Sequence, residues 1–288
     1  MGVFKWIEPP VRGRRRKSEH GEAPVAAGDS AALFELAEEC RNSGRLSEAT
    51  GYYEKAVCFD SGLSAGWIGL ADSLVRLGKV RQAHETVERA LQLYRVTRPF
   101  YALKALVLLH TGHEEESLRY SDISIEQDEA GWYSWLVRGE VLLRCVPGSA
   151  RTQNVRYCFE KSITLAEEPW AACLWVGLVL LITRHPALAA AYLAESAHLN
   201  PLNAFTWLKL GDAFRAMRFF DQAKFYYEQA LDIDPECEPA RHGLAEAGAS
   251  HSRILYLIDV DSARSRWARM FGVTGRRKHR VFPLQRRS

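Results

Sequence analysis

The stretch AFTWLKLGDAFRAMRFFDQAKFYYEQALDIDPEC, residues 204–237, decides the fold. Trp207, Leu210 and Gly211 follow the spacing W-x2-L-G, and apolar residues recur at the three- and four-residue intervals of an amphipathic helix. Pro235 lies near the end of the stretch, where a proline ends a helix without interrupting its interior. The pattern predicts two antiparallel helices that approach closely at Gly211, because a glycine has no side chain to keep them apart.

The same pattern recurs along the chain at a period of 34 residues. It divides the middle of the sequence into six units, 30–63, 64–97, 98–131, 132–169, 170–203 and 204–237. The fourth unit is longer than the others because it carries extra residues around 145–149, where two helices should turn. Three positions in each unit, at which paired helices must touch, hold Gly, Ala or Ser with the single exception of Val155. The repeated small residues predict closely packed helix pairs.

These residues resemble the tetratricopeptide repeat, a helix–turn–helix unit of 34 residues. The resemblance covers 30–237 and implies an all-α fold, a right-handed superhelical solenoid of six helix pairs. It also implies that the first helix of each pair lines a concave groove while the second faces outward. A further helix over 238–250 is expected to cap the exposed end, since terminal repeats need a cap.

Inward residues of the first helices contact the ligand in this family, so the resemblance indicates a partner-binding groove. Its expected lining is an apolar row beside residues of mixed charge, namely Phe34, Ile68, Asp72, Arg76, Leu136, Glu140, Arg144, Leu174, Leu208, Asp212 and Arg215. Such a groove would suit an extended or helical amphipathic segment of a partner. A second interpretation is that the charged residues only pair within their own helices, at three- or four-residue spacing.

The sequence contains no Gly-rich phosphate loop, no G-x-S-x-G and no H-E-x-x-H motif. The densest group of metal-ligand residue types, from His110 to Glu116, falls on a predicted turn before an acidic helix start. We therefore predict no catalytic site, no metal and no cofactor. The predicted function is a non-catalytic scaffold or adaptor that binds a protein or peptide partner.

Charge is distributed unevenly. The net charge is +2 over residues 1–29, −7 over 30–250 and +8 over 251–288. We expect 1–29 to be a disordered basic tail and 251–288 to be an apolar segment followed by a basic tail. Three roles for the second tail are ranked in order: docking of 254–271 onto the solenoid, contact of 262–288 with anionic membrane lipid, and contact with nucleic-acid phosphates. The alternative function is therefore a regulatory subunit tethered to an anionic surface through its basic tails.

Cysteine usage and hydropathy predict a cytoplasmic protein. Six cysteines occur without a C-x-x-C pair, which is typical of reduced thiols in a reducing compartment. No apolar segment of a secretory signal follows Met1. The longest apolar stretch, 171–182, is shorter than the roughly 20 residues of a membrane span. Because this stretch is apolar on every side, we expect its helix to be buried on every side.

Overall fold

The structure is a computed structural model that describes residues 29–94, 98–126, 130–146 and 149–249. All regular secondary structure within these ranges is helical. The helices are α1 (Ser30–Asn42), α2 (Leu46–Phe59), α3 (Ser64–Arg76), α4 (Val80–Leu93), α5 (Arg98–Thr111), α6 (Glu114–Ile123), α7 (Trp132–Cys145), α8 (Ser149–Leu165), α9 (Pro169–Ile182), α10 (Pro186–Leu199), α11 (Ala204–Ala216), α12 (Phe220–Ile233) and α13 (Glu238–Ala249).

Every second helix begins within one residue of a predicted unit start. These helices are α1, α3, α5, α7, α9 and α11, which begin at Ser30, Ser64, Arg98, Trp132, Pro169 and Ala204. The prediction of an all-α helical-repeat fold is confirmed. The division into six units, the handedness of the solenoid and the capping role of α13 stay predictions. Apart from Asp29, which caps the start of α1, the predicted tails, with the apolar segment 254–271 and the basic segment 262–288, lie outside the described residues.

The described helices belong to two compact units, called the first unit and the second unit, each of which is larger than a single 34-residue repeat. Among the described residues, the first unit ends at 172 and contains α1 to α8, and the second unit spans 173–249 and contains most of α9 and all of α10 to α13. In the first unit, a Cβ added to Gly139 would lie 2.3 Å from the Phe159 ring. In the second, a Cβ added to Gly211 would lie 2.5 Å from the ring of Tyr227. Both glycines therefore lie where the predicted close approach of paired helices occurs.

Helix α9 is buried on almost every side, as its apolar sequence predicts. Leu174, Val176 and Val179 are completely inaccessible. The exposed residues of this helix are Pro169 and Ile182, which lie at its two ends. None of the helices in the described ranges combines the length and the apolar character that a membrane crossing requires.

The inner turns between paired helices contain a residue in the left-handed backbone region. This residue is Gly44, Gly78 or Gly112 in three turns, with φ between 75° and 83°. In the turns after α9 and α11 it is Arg184 and Arg218, with φ of 63° and 66°. A side chain in this region costs about 1–2 kcal/mol relative to glycine because Cβ approaches the following carbonyl oxygen. The two arginine turns are therefore strained.

Replacing Arg218 with glycine should raise the free energy of unfolding by about 0.5–1 kcal/mol. The relief of left-handed strain is larger than the extra backbone entropy that glycine gives the unfolded chain. Urea denaturation followed by circular dichroism measures the change. Arg241→Gly, an exposed position within α13, is the control and should lower stability, since glycine is unfavourable inside a helix. A loss of stability in Arg218→Gly would show that the turn is not strained.

Candidate functional site

Four charged residues predicted for the groove, Asp72, Arg76, Glu140 and Arg144, form a row of ion pairs together with Glu38 and Arg41 in the first unit. Arg41 on α1 lies 2.7 Å from Glu38 and 3.9 Å from Asp72 on α3. Arg76 on α3 lies 3.4 Å from Asp72 and 2.9 Å from Glu140 on α7. We call Glu38, Arg41, Asp72, Arg76, Glu140 and Arg144 the charge row. Because its signs alternate along the row, each inner carboxylate lies between two guanidinium groups.

The centre of the charge row is buried. The side chains of Arg41, Asp72, Arg76 and Glu140 are 6%, 2%, 4% and 0% exposed. Burial alone would lower the pKa of Arg76, but the carboxylates of Glu140 and Asp72 raise it above its ordinary value. Charges removed from water in this way depend on their partners, and loss of one partner leaves an uncompensated charge in the interior.

Two aromatic residues at the start of α7 contact charge-row residues on α1 and α3. The Tyr133 hydroxyl donates a hydrogen bond of 2.9 Å to Asp72 on α3. The Arg41 guanidinium lies 5.9 Å from the centroid of the Trp132 ring, within the range of a cation–π contact. Side chains of α7 therefore reach past α5, the helix between α3 and α7 in the series of first helices.

His110 on α5 lies beside the α7 end of the charge row. Its Nε2 accepts a hydrogen bond of 3.4 Å from Arg144, and it lies 3.9 Å from Glu140. Burial and then the nearby Arg144 lower the pKa of His110 below its ordinary value of 6.5, whereas Glu140 opposes this shift. The imidazole is therefore neutral at neutral pH and acts as an acceptor.

The pKa shift of His110 predicts a loss of stability in mild acid. Because the pKa is lower in the folded chain, the unfolded chain binds the extra proton as pH falls below 6.5, and the free energy of unfolding decreases. The charged groups that act on the imidazole are Arg144, Glu140, Arg76 and Asp72. Denaturation midpoints of the parent chain and of His110→Gln should diverge between neutral pH and pH values below 6.5. Parallel curves would show that His110 does not titrate in this way.

An open cleft of about 450 Å³ lies between α11 and α13 in the second unit. Its lining residues are Leu208, Asp212, Arg215, Glu238, Pro239, His242, Gly243 and Glu246. Three of the residues predicted for the groove, Leu208, Asp212 and Arg215, therefore lie together in a surface depression. The remainder come from α13, which the sequence analysis interpreted as a cap.

Hydrogen bonds fix the charged side of this cleft. The Tyr227 hydroxyl on α12 donates to Asp212 at 2.9 Å and accepts from Arg215 Nε at 3.0 Å. Burial, followed by the charge of Asp212, raises the pKa of Tyr227, so the hydroxyl keeps its proton. Arg215 also donates to Glu246 on α13 at 2.8 Å. The Arg215 and Glu246 side chains are 42% and 45% exposed, so this pair forms an accessible rim.

The charged side of the cleft repeats an arrangement of residues that also occurs in the first unit. Asp212, Arg215 and Tyr227 have the same sequence spacing as Glu38, Arg41 and Tyr53. In both units the tyrosine hydroxyl donates to the acidic residue. In the first unit Arg41 continues to the buried Asp72, whereas Arg215 continues to the exposed Glu246. The arginine and its second carboxylate partner are therefore buried in the first unit and exposed in the second.

Helix α13 continues the register of the first helices of the pairs. This register is the sequence signal from which its cleft residues could have been predicted. Gly243 stands to Tyr227 as Gly69 stands to Tyr53, and an added Cβ would lie 2.6 Å and 2.3 Å from the respective tyrosine ring. Glu246 accordingly takes the place that Asp72 has in α3. The repeat predicted from the sequence ended at 237, so α13 was assigned no binding role.

The remaining predicted groove residues are apolar, and they differ in their exposure to solvent. Leu136 and Leu174 are buried, at 1% and 0% exposure. Phe34 and Ile68 are partly exposed, and the Phe34 ring lies 6.0 Å from that of Tyr53. Within the described ranges, no three His, Cys, Asp or Glu side chains lie together as a metal site would require.

Two family models described as tetratricopeptide repeat match the chain, one over residues 204–237 and one over 68–131. The chain therefore contains tetratricopeptide repeats. Proteins of this class typically use their extended repeat surfaces as protein-interaction scaffolds. No curated protein sequence matches the chain.

Solved structures of repeat proteins are similar to this chain at low sequence identity. A chain of the APC/C hetero-tetramer Cut9–Hcn1 is 18% identical with a TM-score of 0.46, over 77% of this chain and 44% of that chain. This chain therefore spans less than half of that protein's length. YrrB, described as a TPR protein with an unusual peptide-binding site, is 17% identical with a TM-score of 0.35, over 75% and 91%. A thermophilic TPR protein of Thermus thermophilus, TTC0263, is 16% identical with a TM-score of 0.45, over 76% and 98%.

Proposed function

We propose that this protein is a non-catalytic scaffold that binds a peptide or helical segment of a protein partner in the cleft between α11 and α13. The observation that carries the proposal is the exposure of the Arg215–Glu246 pair beside Leu208 and Asp212. The corresponding charges of the first unit are consumed by internal ion pairs and are closed to solvent. Charged groups in the cleft are therefore accessible to a partner, whereas the corresponding groups of the charge row are buried.

The lining of the cleft suits an amphipathic segment. Leu208 and Pro239 provide apolar surface, while Asp212, Arg215 and Glu246 provide both signs of charge within one depression. A volume of about 450 Å³ accommodates a few side chains of a segment that continues along the surface. An anchoring apolar side chain flanked by polar groups is the occupant that this lining favours.

An exchange of charges across the cleft tests the proposal. The double variant R215E/E246R keeps an ion pair between α11 and α13 but exchanges its positive and negative ends. A partner therefore meets the opposite charge at each of the two positions. We expect affinity purification of the full-length variant to recover at least about tenfold less of the proteins enriched by the parent chain, which corresponds to about 1.4 kcal/mol.

The matched control is R81E/E85R, which exchanges an exposed i,i+4 pair on α4. It should recover the same partners as the parent chain. Equal recovery by R215E/E246R and by the control would contradict binding at the cleft. The regulatory-tether alternative concerns the basic tails, for which the described ranges carry no observation.

A further inference from the structure

The first unit contains two side-chain contacts, one ion pair and one hydrogen bond, that its repeat pattern does not require. Neighbouring first helices pack in sequence, α3 against α5 and α5 against α7. Arg76 nevertheless reaches Glu140 at 2.9 Å, and Tyr133 reaches Asp72 at 2.9 Å, so that two contacts join α3 and α7 directly. These contacts span the helix that separates their backbones.

Small and apolar residues on α5 make this span feasible. Ala102 and Leu106 hold the positions on α5 that Ile68 and Asp72 hold on α3, and both are completely inaccessible to solvent. An arginine and a tyrosine are long enough to pass over these uncharged side chains, whereas a charged residue at 106 would compete for the same partners. The inner face of α5 is therefore covered, although Ile68 in the equivalent position on α3 is partly exposed.

We propose that the Arg76–Glu140 ion pair and the Tyr133–Asp72 hydrogen bond form a latch that holds α7 over α5 and keeps the inner face of α5 closed. The latch depends on balanced charge, since each of its buried carboxylates lies beside two guanidinium groups. Removal of one charge leaves an excess of the other in the interior, and the favoured response is to expose that charge to water by moving α7 away. The first unit thus has a closed state and an open state that differ in the exposure of α5.

A set of single and double substitutions in the full-length chain tests the latch. Arg76→Met and Glu140→Met each unbalance it, whereas R76M/E140M removes one charge of each sign and replaces the pair with apolar side chains. Hydrogen exchange of α5 amides should be at least about tenfold faster in each single variant. In the double variant, exchange should return close to that of the parent chain. Binding of the dye ANS should rise in the single variants only, because the covered face of α5 is apolar.

Tyr133→Phe provides a milder test that keeps all charges and removes only the hydroxyl. It should accelerate α5 exchange while circular dichroism at 222 nm and the exchange of α11 to α13 stay unchanged. If a single methionine variant unfolds, Tyr133→Phe and the double variant still decide the question. Unchanged α5 exchange in Tyr133→Phe, or a double variant as poorly protected as the singles, would overturn the latch and leave only pairing within each helix.

Discussion

Glu140→Ala is expected to lower the free energy of unfolding of the first unit by about 3–5 kcal/mol, the usual cost of removing one partner from a buried ion pair. Glu140 is 0% exposed and lies 2.9 Å from Arg76 and 3.0 Å from Arg144. Its removal deprives Arg76, which is 4% exposed, of the carboxylate that lies 2.9 Å away. Urea denaturation followed by circular dichroism gives the loss.

Asp212→Ala is the matched control, because Asp212 has the corresponding place in α11 and also pairs with an arginine three residues later. Its side chain is 24% exposed, so water can replace its lost contacts and the destabilisation should be clearly smaller. Similar losses in the two variants would show that burial of the charge row does not distinguish the first unit from the second.

Gly211→Leu should cost about 1–3 kcal/mol by overpacking, and the damage should be confined to the end of the chain that contains α11 to α13. A Cβ at this position meets the Tyr227 ring at 2.5 Å, and a full leucine must displace that ring. The displaced ring also withdraws its hydroxyl from Asp212 and Arg215, which opens the charged side of the cleft. Hydrogen exchange of α11 to α13 should accelerate, while α1 to α4 stay protected.

Gly51→Leu supplies the comparison, since a Cβ there has no neighbour within 4 Å and leucine favours a helix more than glycine does. It should be neutral or stabilising. Uniform loss of protection over all helices in Gly211→Leu would contradict a repeat fold in which each unit depends mainly on its neighbours.

The helices could be predicted from the sequence because close contacts between paired helices demand small residues at fixed intervals. Ala37, Ala71 and Ala105 occupy one such position in three successive units, and all three are fully buried. Val155, the one larger residue in the set, is also buried at 6% exposure, just after the insertion. A steric requirement that recurs at fixed intervals can be recognised from the sequence alone.

The charge row could be predicted only in part. Periodicity identifies neighbours on one helix, and the expected pairs Asp72–Arg76 and Glu140–Arg144 are present at 3.4 Å and 3.0 Å. It carries no information on how near α7 comes to α3, so the Arg76–Glu140 pair was not foreseen. Approach of helices that are two positions apart depends on side chains of the helix between them, here on the short and apolar residues of α5.

The cleft between α11 and α13 was missed for a different reason. The predicted groove ended with the last complete helix pair, and 238–250 was assigned to a cap with no binding role. The spacing from Tyr227 to Gly243, which repeats the spacing from Tyr53 to Gly69, shows that α13 follows the rules of a first helix. Glu246 and His242 lie on the face of α13 that borders the cleft.

Hydrogen exchange of the full-length chain, with and without a partner recovered by affinity purification, tests the binding site most directly. We predict that the partner slows exchange in α11 and α13, and that R215E/E246R abolishes this protection. Exchange in α1, α3 and α7 should not change, because the charged groups at the centre of the charge row are buried and already paired with one another. Protection centred on α1 to α8, with none in α11 and α13, would contradict binding at the cleft.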